Sequence, residues 1–67
     1  MPYKVIFNPT NADYKVLQKL GYALDRSEYP VVSESGFPSR ADAQEYIDSQ
    51  YQPGAGKSRE SYRIMPE

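Results

Sequence analysis

The chain has 67 residues, with eight basic and nine acidic side chains, a formal net charge of −1, and neither cysteine nor histidine. A chain of this length can bury one small core, so we expect a single domain over residues 1–67 with no deep enzyme pocket beside it. The missing cysteines exclude disulfides and zinc–thiolate sites, and the missing histidines remove the commonest general base and metal ligand, so we expect a protein that is not an enzyme and holds no metal or cofactor.

The first element in chain order is a strand over residues 3–7, where Tyr3, Val5 and Phe7 alternate with Lys4 and Ile6. Its β-branched and aromatic side chains suit a pleated surface. The Asn-Pro pair at positions 8 and 9 ends it, because proline has no amide to donate to a neighbouring strand.

Residues 10–20 fit two patterns. Thr10 with Asp13 three positions later is typical of a helix start, apolar residues recur at helical spacing, and Gly21 suits a helix end. As the alternative, residues 11–13 could form a hairpin loop and one face of a strand could consist of Tyr14, Val16, Tyr22 and Leu24. We favour the short helix and keep the strand as the alternative.

A second strand is predicted over residues 29–34, closed by Ser35 and Gly36. The clearest element is a helix over residues 40–51, which Ser39 caps and in which Asp42 occupies the third position. Its apolar stripe consists of Ala43, Tyr46, Ile47 and Tyr51.

Residues 52–58 have the composition of an exposed loop, and residues 61–65 alternate as a last strand before Pro66. This order predicts an α+β fold, a three- to four-stranded, mainly antiparallel sheet with the long helix of residues 40–51 on one face. One helix cannot cover both faces of a sheet, so the other face should be solvated or meet a partner.

Residues 36–47 (GFPSRADAQEYI) resemble the strand-to-helix corner of many small sheet-plus-helix modules, including the arm-type DNA-binding domains of phage integrases. The resemblance implies a three-stranded sheet backed by a helix and says little about the ligand. A DNA-binding role would use Lys4, Arg59 and Arg63 on the sheet face. The balance of eight basic against nine acidic residues argues against nucleic acid as a partner, because phosphate neutralisation supplies much of the affinity.

Residues 54–58 (GAGKS) resemble part of a phosphate-binding P-loop, but Tyr51 stands where that motif needs its first glycine, and the predicted helix precedes the loop. A backbone nest near Lys57 and Arg59, with Arg63, remains a candidate site for an anion or a nucleic-acid phosphate. The acidic residues of the long helix share one face, yet no second acidic element completes a metal site.

Seven tyrosines offer apolar rings with polar tips. We expect Tyr46, Tyr51 and Tyr62 to pack in or beside the core. The candidates for a protein interface are Tyr14, Tyr22 and Tyr29.

The main hypothesis is a non-enzymatic protein-binding module, an adaptor or small inhibitor of the kind that phages also encode, that meets a larger protein through a sheet edge or face. One alternative is a nucleic-acid-binding module that uses the sheet face, and another is a homo-oligomer that binds a small ligand or an anion. No stretch approaches the roughly 18 apolar residues of a membrane span, and the start lacks a signal-peptide layout, so we expect a cytoplasmic protein without a membrane partner.

Overall fold

A computed structural model describes residues 2–67. Its strands and α-helices are, in chain order, β1 (Tyr3–Phe7), α1 (Asn11–Leu20), β2 (Val31–Phe37), α2 (Arg40–Gln50) and β3 (Tyr62–Pro66). Single turns of 3₁₀ helix lie at Arg26–Glu28, Pro53–Ala55 and Arg59–Ser61. The predicted α+β class is confirmed. Within residues 2–67, neither helix has the length and apolar character that crossing a membrane requires.

The three strands form an antiparallel sheet in the order β2-β1-β3, so the first strand is central. Directly paired residues share a face, and Val5 pairs with Ile64 on the face that α2 covers. Val5 is fully buried there against Ala43 and Ile47 of α2. Partly buried side chains surround this core, namely Phe37, Tyr46, Tyr62 and Ile64.

Helix α2 starts as the sequence predicts. The Ser39 hydroxyl accepts a hydrogen bond from the Asp42 amide at 3.2 Å, which satisfies an amide that the helix itself leaves unpaired. The predicted core position of Tyr51 is wrong, because the helix ends at Gln50 and the Tyr51 side chain is 43% exposed. Its ring lies instead under the Arg59 guanidinium, 4.1 Å from the ring centroid.

Helix α1 confirms the helical interpretation of residues 10–20, and the strand alternative is wrong. Thr10 caps its start, since the hydroxyl accepts from the Asp13 amide at 3.2 Å. Gly21 ends it at φ 80°, a left-handed conformation that glycine adopts without a steric penalty. The amides of Gly21 and Tyr22 donate to the carbonyls of Gln18 and Leu17, which is the Schellman arrangement.

Strand β2 differs from its prediction. It begins at Val31 and runs through Gly36 to Phe37, so the predicted end at Ser35 and Gly36 is wrong. The pairing with β1 shifts twice, because the β2 partners of Val5 and Ile6 are two positions apart instead of one, and those of Tyr3 and Val5 are three positions apart instead of two. Such bulges place extra residues in one strand, and the left-handed φ of 82° at Gly36 suits one of them. Gly36 would end a regular strand, but β2 continues through it because the strand is irregular at this point.

The face of the sheet opposite α2 consists of Lys4, Ile6, Val32, Arg63 and Met65, and we call it the open sheet face. The register places them together, since Ile6 pairs with both Val32 and Arg63, and Lys4 pairs with Met65. Val32 and Met65 remain 55% and 42% exposed. The expectation that one helix leaves a sheet face uncovered therefore agrees with the exposure of these two side chains.

Candidate binding groove

A groove with a volume of about 580 Å³ lies between α1, the segment of residues 22–31 and the turn of residues 52–57. We call it the apolar groove. Its walls are mainly apolar and aromatic, and they include Leu17, Leu20, Tyr22, Leu24, Tyr29 and Val31. A groove of this size and character matches the usual dimensions of sites that bind small ligands or side chains of a partner.

Three of the six large apolar residues that are exposed within residues 2–67 lie at the mouth of the apolar groove. Leu20, Tyr22 and Leu24 are 49%, 74% and 44% exposed. Single exposed apolar residues are normal on a protein surface, but three within five positions at one groove form a patch.

The segment that carries Tyr22 and Leu24 is held in place by its backbone and by two tyrosines. The Leu24 carbonyl accepts from the Tyr14 hydroxyl at 2.9 Å, and the Leu24 amide donates to the Tyr29 hydroxyl at 3.2 Å. The two rings meet edge to face, with centroids 6.2 Å apart. Arg26 adds support, since its guanidinium lies 4.5 Å from the Tyr14 ring centroid and donates to the Pro9 carbonyl at 2.9 Å.

The opposite wall is the turn of residues 52–57, which closes on itself and packs on α1. The Gln52 amide donates to the Lys57 carbonyl at 2.7 Å, and the Lys57 amide donates to the Gln52 carbonyl at 3.1 Å. Gly56 is buried against Leu17 and the Asp13 carbonyl, at a distance that leaves no room for a Cβ atom. The predicted exposed loop is thus correct for residues 52–54 and wrong for Gly56.

A buried carboxylate joins the start of α1 to the chain that follows the turn. One Asp13 oxygen accepts from the Ser58 amide at 2.9 Å, from the Ser58 hydroxyl at 2.5 Å and from the Ser61 hydroxyl. Ser61 in turn accepts from the Thr10 amide at 3.1 Å. Burial is the largest influence and raises the pKa of Asp13, but the hydrogen bonds from Ser58 and Ser61 together outweigh it, so the pKa lies below its usual value. Asp13 is therefore an ionised structural residue, one oxygen of which accepts three hydrogen bonds.

Lys57 is the one charged residue on the walls of the apolar groove. Its side chain is half-buried. Within residues 2–67 the single ion pair joins Arg59 to Asp48, and no hydrogen bond involves the Lys57 side chain. A cation on an otherwise apolar wall gives the groove an amphipathic character.

The structure groups some predicted site residues and separates others. Tyr22 and Tyr29 line the apolar groove, and Tyr14 lies behind it as a support for Leu24. The basic candidates lie in different surroundings: Lys57 in the groove, Arg59 at 2.9 Å from Asp48, and Arg63 on the open sheet face.

The turn also leaves few amides for an anion. The amides of Ala55, Gly56, Lys57 and Ser58 donate to Gln52, Pro53, Gln52 and Asp13 respectively. Anion binding by Lys57, Arg59 and Arg63 stays a prediction, and it would have to rely on side chains rather than on a backbone nest.

The outer edge of β3 offers little to an added strand. In an antiparallel pair, every second residue of a strand forms backbone hydrogen bonds to its partner strand. The backbone hydrogen bonds from Asn8 to Ser61 and from Glu67 to Pro2 show that Arg63 and Met65 are the β3 residues that bond to β1. Of the amides directed outward, that of Tyr62 donates to the Arg59 carbonyl, and Pro66 has none. The Ile64 amide is left, which is a single donor for a partner strand.

The acidic residues of α2 do not converge. The Asp42 carboxylate accepts from the Ser39 hydroxyl, and the Asp48 carboxylate accepts from Arg59 and Gln44. The hydrogen bonds from Arg59 and Gln44 lower the pKa of Asp48. Among residues 2–67, no group of three acidic side chains could hold a metal ion.

Neither the protein-family models nor the curated proteins nor the solved structures contain a match to this chain. The function has to be argued from the geometry of its own residues. The spacing of Leu20 and Leu24 fits the apolar stripe of a helix, so sequence reasoning misses them as exposed groove residues. The signal available was that Leu24 lies beyond the helix stop at Gly21, where a helical face no longer continues.

Proposed function

We propose that this chain is a non-enzymatic protein-binding module whose apolar groove receives apolar side chains of a larger protein. The observation that carries the proposal is the cluster of Leu20, Tyr22 and Leu24 at the mouth of the groove. Covering the apolar lining of the groove would gain about 3 kcal/mol before the costs of association, at roughly 25 cal/mol per Å² of apolar surface. Tyrosine and leucine anchors of this kind are typical contributors to protein interfaces.

Pre-organisation supports the same proposal. The Schellman turn at Gly21 sets the position of Tyr22, and the two tyrosine hydroxyls hold both backbone groups of Leu24. A surface that is already ordered loses little conformational entropy when a partner binds, so more of the contact energy is retained as affinity.

The nucleic-acid alternative has weaker support on the sheet. Lys4 and Arg63 do share the open sheet face, but Arg59 is paired with Asp48 elsewhere. The aromatic strand residues lie on the same face of the sheet as Val5 and Ile64, and that face packs against α2. These aromatic residues are Tyr3, Phe7 and Tyr62. Stacking of bases needs exposed aromatic faces, and the open sheet face has none among its five residues.

The test uses two variants of matched chemistry on different surfaces. Leu24→Ser removes an apolar side chain at the groove, and Val32→Ser removes one of similar exposure from the open sheet face. Immobilised wild-type chain and both variants are incubated with cell extract, retained proteins are identified by mass spectrometry, and the strongest is purified for calorimetric titration. We expect at least a tenfold weaker Kd for Leu24→Ser and little change for Val32→Ser, since 1.4 kcal/mol corresponds to tenfold. A retained protein that loses affinity with Val32→Ser and not with Leu24→Ser would contradict the groove as the interface.

Nucleic acid is tested by the same proteins in a salt titration. Phosphate contacts give a steep loss of affinity as ionic strength rises. Binding of single-stranded DNA at low salt that Lys4→Ala and Arg63→Ala both weaken would favour the alternative function.

A further inference from the structure

The charge pattern of the apolar groove carries information about its occupant. Lys57 is the one charged residue among the groove residues, and the bridge to Gln52 fixes its backbone. The other groove residues are aliphatic or aromatic, apart from Gln52. A ligand that matches this lining in chemistry has an apolar body and a negative group beside Lys57.

No carboxylate within residues 2–67 forms an ion pair with Lys57. Asp13 lies against the turn of residues 52–57, and one of its carboxylate oxygens accepts hydrogen bonds from Ser58 and Ser61. Asp48 is engaged by Arg59, at 2.9 Å. On the segment that forms the other wall, Glu28 accepts from the Asp25 amide at 3.2 Å as part of a capping arrangement. Within residues 2–67 the ammonium of Lys57 is thus available to a group outside the chain.

We infer that the apolar groove selects a protein segment that carries an acidic side chain beside its apolar anchors, with the carboxylate meeting the Lys57 ammonium. This inference rests on the proposed function and names the chemistry of the partner. Complementary charge at the edge of an apolar contact fixes the register of the bound segment and excludes segments with a basic residue at that position.

Lys57 is well placed for such discrimination because the residue is half-buried at the wall of the groove. A fully exposed pair would contribute little in water, whereas a pair that the apolar anchors partly shield from solvent contributes more. A lysine ammonium is a compact point charge, so it should accept an aspartate or a glutamate and demand no planar two-point geometry.

The experiment selects a displayed library of random 12-residue peptides on the wild-type chain and, in parallel, on Lys57→Met. The Met variant keeps an unbranched apolar stem of similar length and removes the charge. Both proteins are first compared by circular dichroism and thermal unfolding, and Lys57→Arg serves as the variant that retains the charge. The best wild-type peptide is then synthesised with its acidic residue changed to the matching amide, and all pairs are measured by fluorescence anisotropy.

We expect wild-type selections to be enriched in peptides with Asp or Glu next to Leu, Phe or Trp, and the acidic preference to disappear with Lys57→Met. The Asp→Asn or Glu→Gln peptide should bind the wild-type chain about tenfold more weakly, and Lys57→Met should bind both peptides equally, as a double-mutant cycle requires. Lys57→Arg should bind the acidic peptide within about threefold of wild type.

Two kinds of failure are distinguishable. Peptides that bind the groove, lose affinity with Leu24→Ser and show no acidic preference would overturn the inference and leave the proposed function in place. If no peptide distinguishes wild type from Leu24→Ser, the proposed function fails as well. Decanoate serves as the small-molecule probe: if it shifts the amide resonances of Leu24 and Lys57 while no peptide does, the occupant is a small apolar acid and the inference is wrong.

Discussion

The amide and the hydroxyl of Ser58 donate to the same carboxylate oxygen of Asp13, at 2.9 and 2.5 Å. The two residues are 45 positions apart in the chain, so this contact links the first helix to the last third of the molecule. Asp13 is only 5% exposed, and the Ser61 hydroxyl completes its surroundings. The stability of the fold should therefore depend on the Asp13 carboxylate and on its ionisation.

Asp13→Ala should destabilise the protein by about 3 kcal/mol, because the half-buried Ser58 and the buried Ser61 lose the charged acceptor of their hydrogen bonds. A domain of this size has roughly 3–10 kcal/mol of stability in total, so the variant should be largely unfolded at elevated temperature. Urea denaturation followed by circular dichroism measures the difference. Asp48→Ala is the control, since its carboxylate is half exposed and its loss should leave the midpoint close to that of wild type. Equal effects of the two variants would contradict the structural role of Asp13.

Acid should remove part of this stabilisation. The pKa of Asp13 is lowered from its usual 3.8 in the folded state, so its contribution is complete above the unfolded pKa and is lost as pH falls through the folded value. We expect the free energy of unfolding to fall from about pH 4 downward. Asp13→Asn, which does not titrate, should flatten this part of the profile, and an unchanged slope would show that other carboxylates dominate.

Gly56→Ala should cost about 2–5 kcal/mol, and Gly21→Ala about 1–2 kcal/mol. Both glycines have left-handed φ angles, of 76° and 80°, which an alanine adopts at a cost of about 1–2 kcal/mol. A Cβ at Gly56 would also lie 2.8 Å from the Asp13 carbonyl oxygen and 2.9 Å from Leu17 Cγ, whereas Gly21 faces open space. Overpacking of this kind adds about 1–3 kcal/mol. Chemical denaturation of the two variants gives the difference in their free energies of unfolding, which isolates the contact of Gly56 with α1. Equal destabilisation by Gly56→Ala and Gly21→Ala would contradict that contact.

Ile47→Ala should destabilise the protein by about 2–5 kcal/mol through the cavity that it leaves beside Val5. The matched surface change, Val32→Ala, removes two methyl groups from a side chain that is already more than half exposed and should cost less than about 1 kcal/mol. Thermal unfolding separates the two, at roughly 4–8 °C per kcal/mol for a domain of this size. A large loss with Val32→Ala would indicate that the open sheet face is covered in solution.

Tyr29→Phe should loosen the segment that forms the mouth of the apolar groove. The Leu24 amide loses its acceptor, so its hydrogen exchange should become faster by about tenfold, the equivalent of roughly 1.4 kcal/mol. Tyr22→Phe is the control, because the Tyr22 hydroxyl makes no hydrogen bond within residues 2–67 and its ring is 74% exposed. Amide exchange measured by NMR gives the comparison at the single residue Leu24.

The parts of the fold that could be predicted are those with local signals. Thr10 and Ser39 each cap a helix with a hydroxyl that reaches an amide three positions later, and Gly21 ends α1 within the same turn of chain. The groove was only partly predictable. The chemistry of Tyr22 and Tyr29 makes them interface candidates, but nothing in the local pattern distinguishes the exposed Leu20 from the buried Leu17 on the same helix.

The sequence by itself determined the absence of histidine and cysteine, the helix boundaries set by their caps, and the α+β order of elements, because each depends on composition or on residues within a few positions of one another. The tertiary structure alone decided that Gly56 approaches Leu17, that Asp13 is buried under Ser58 and Ser61, and that Lys57 lies on the wall of the apolar groove. The contacts of Gly56 and Asp13 join residues about 40 or more positions apart, and no periodicity encodes a distance between segments that meet only after the chain has folded. The charge that is left unpaired in the groove is a consequence of that packing, and it is the feature from which the partner's chemistry can be tested.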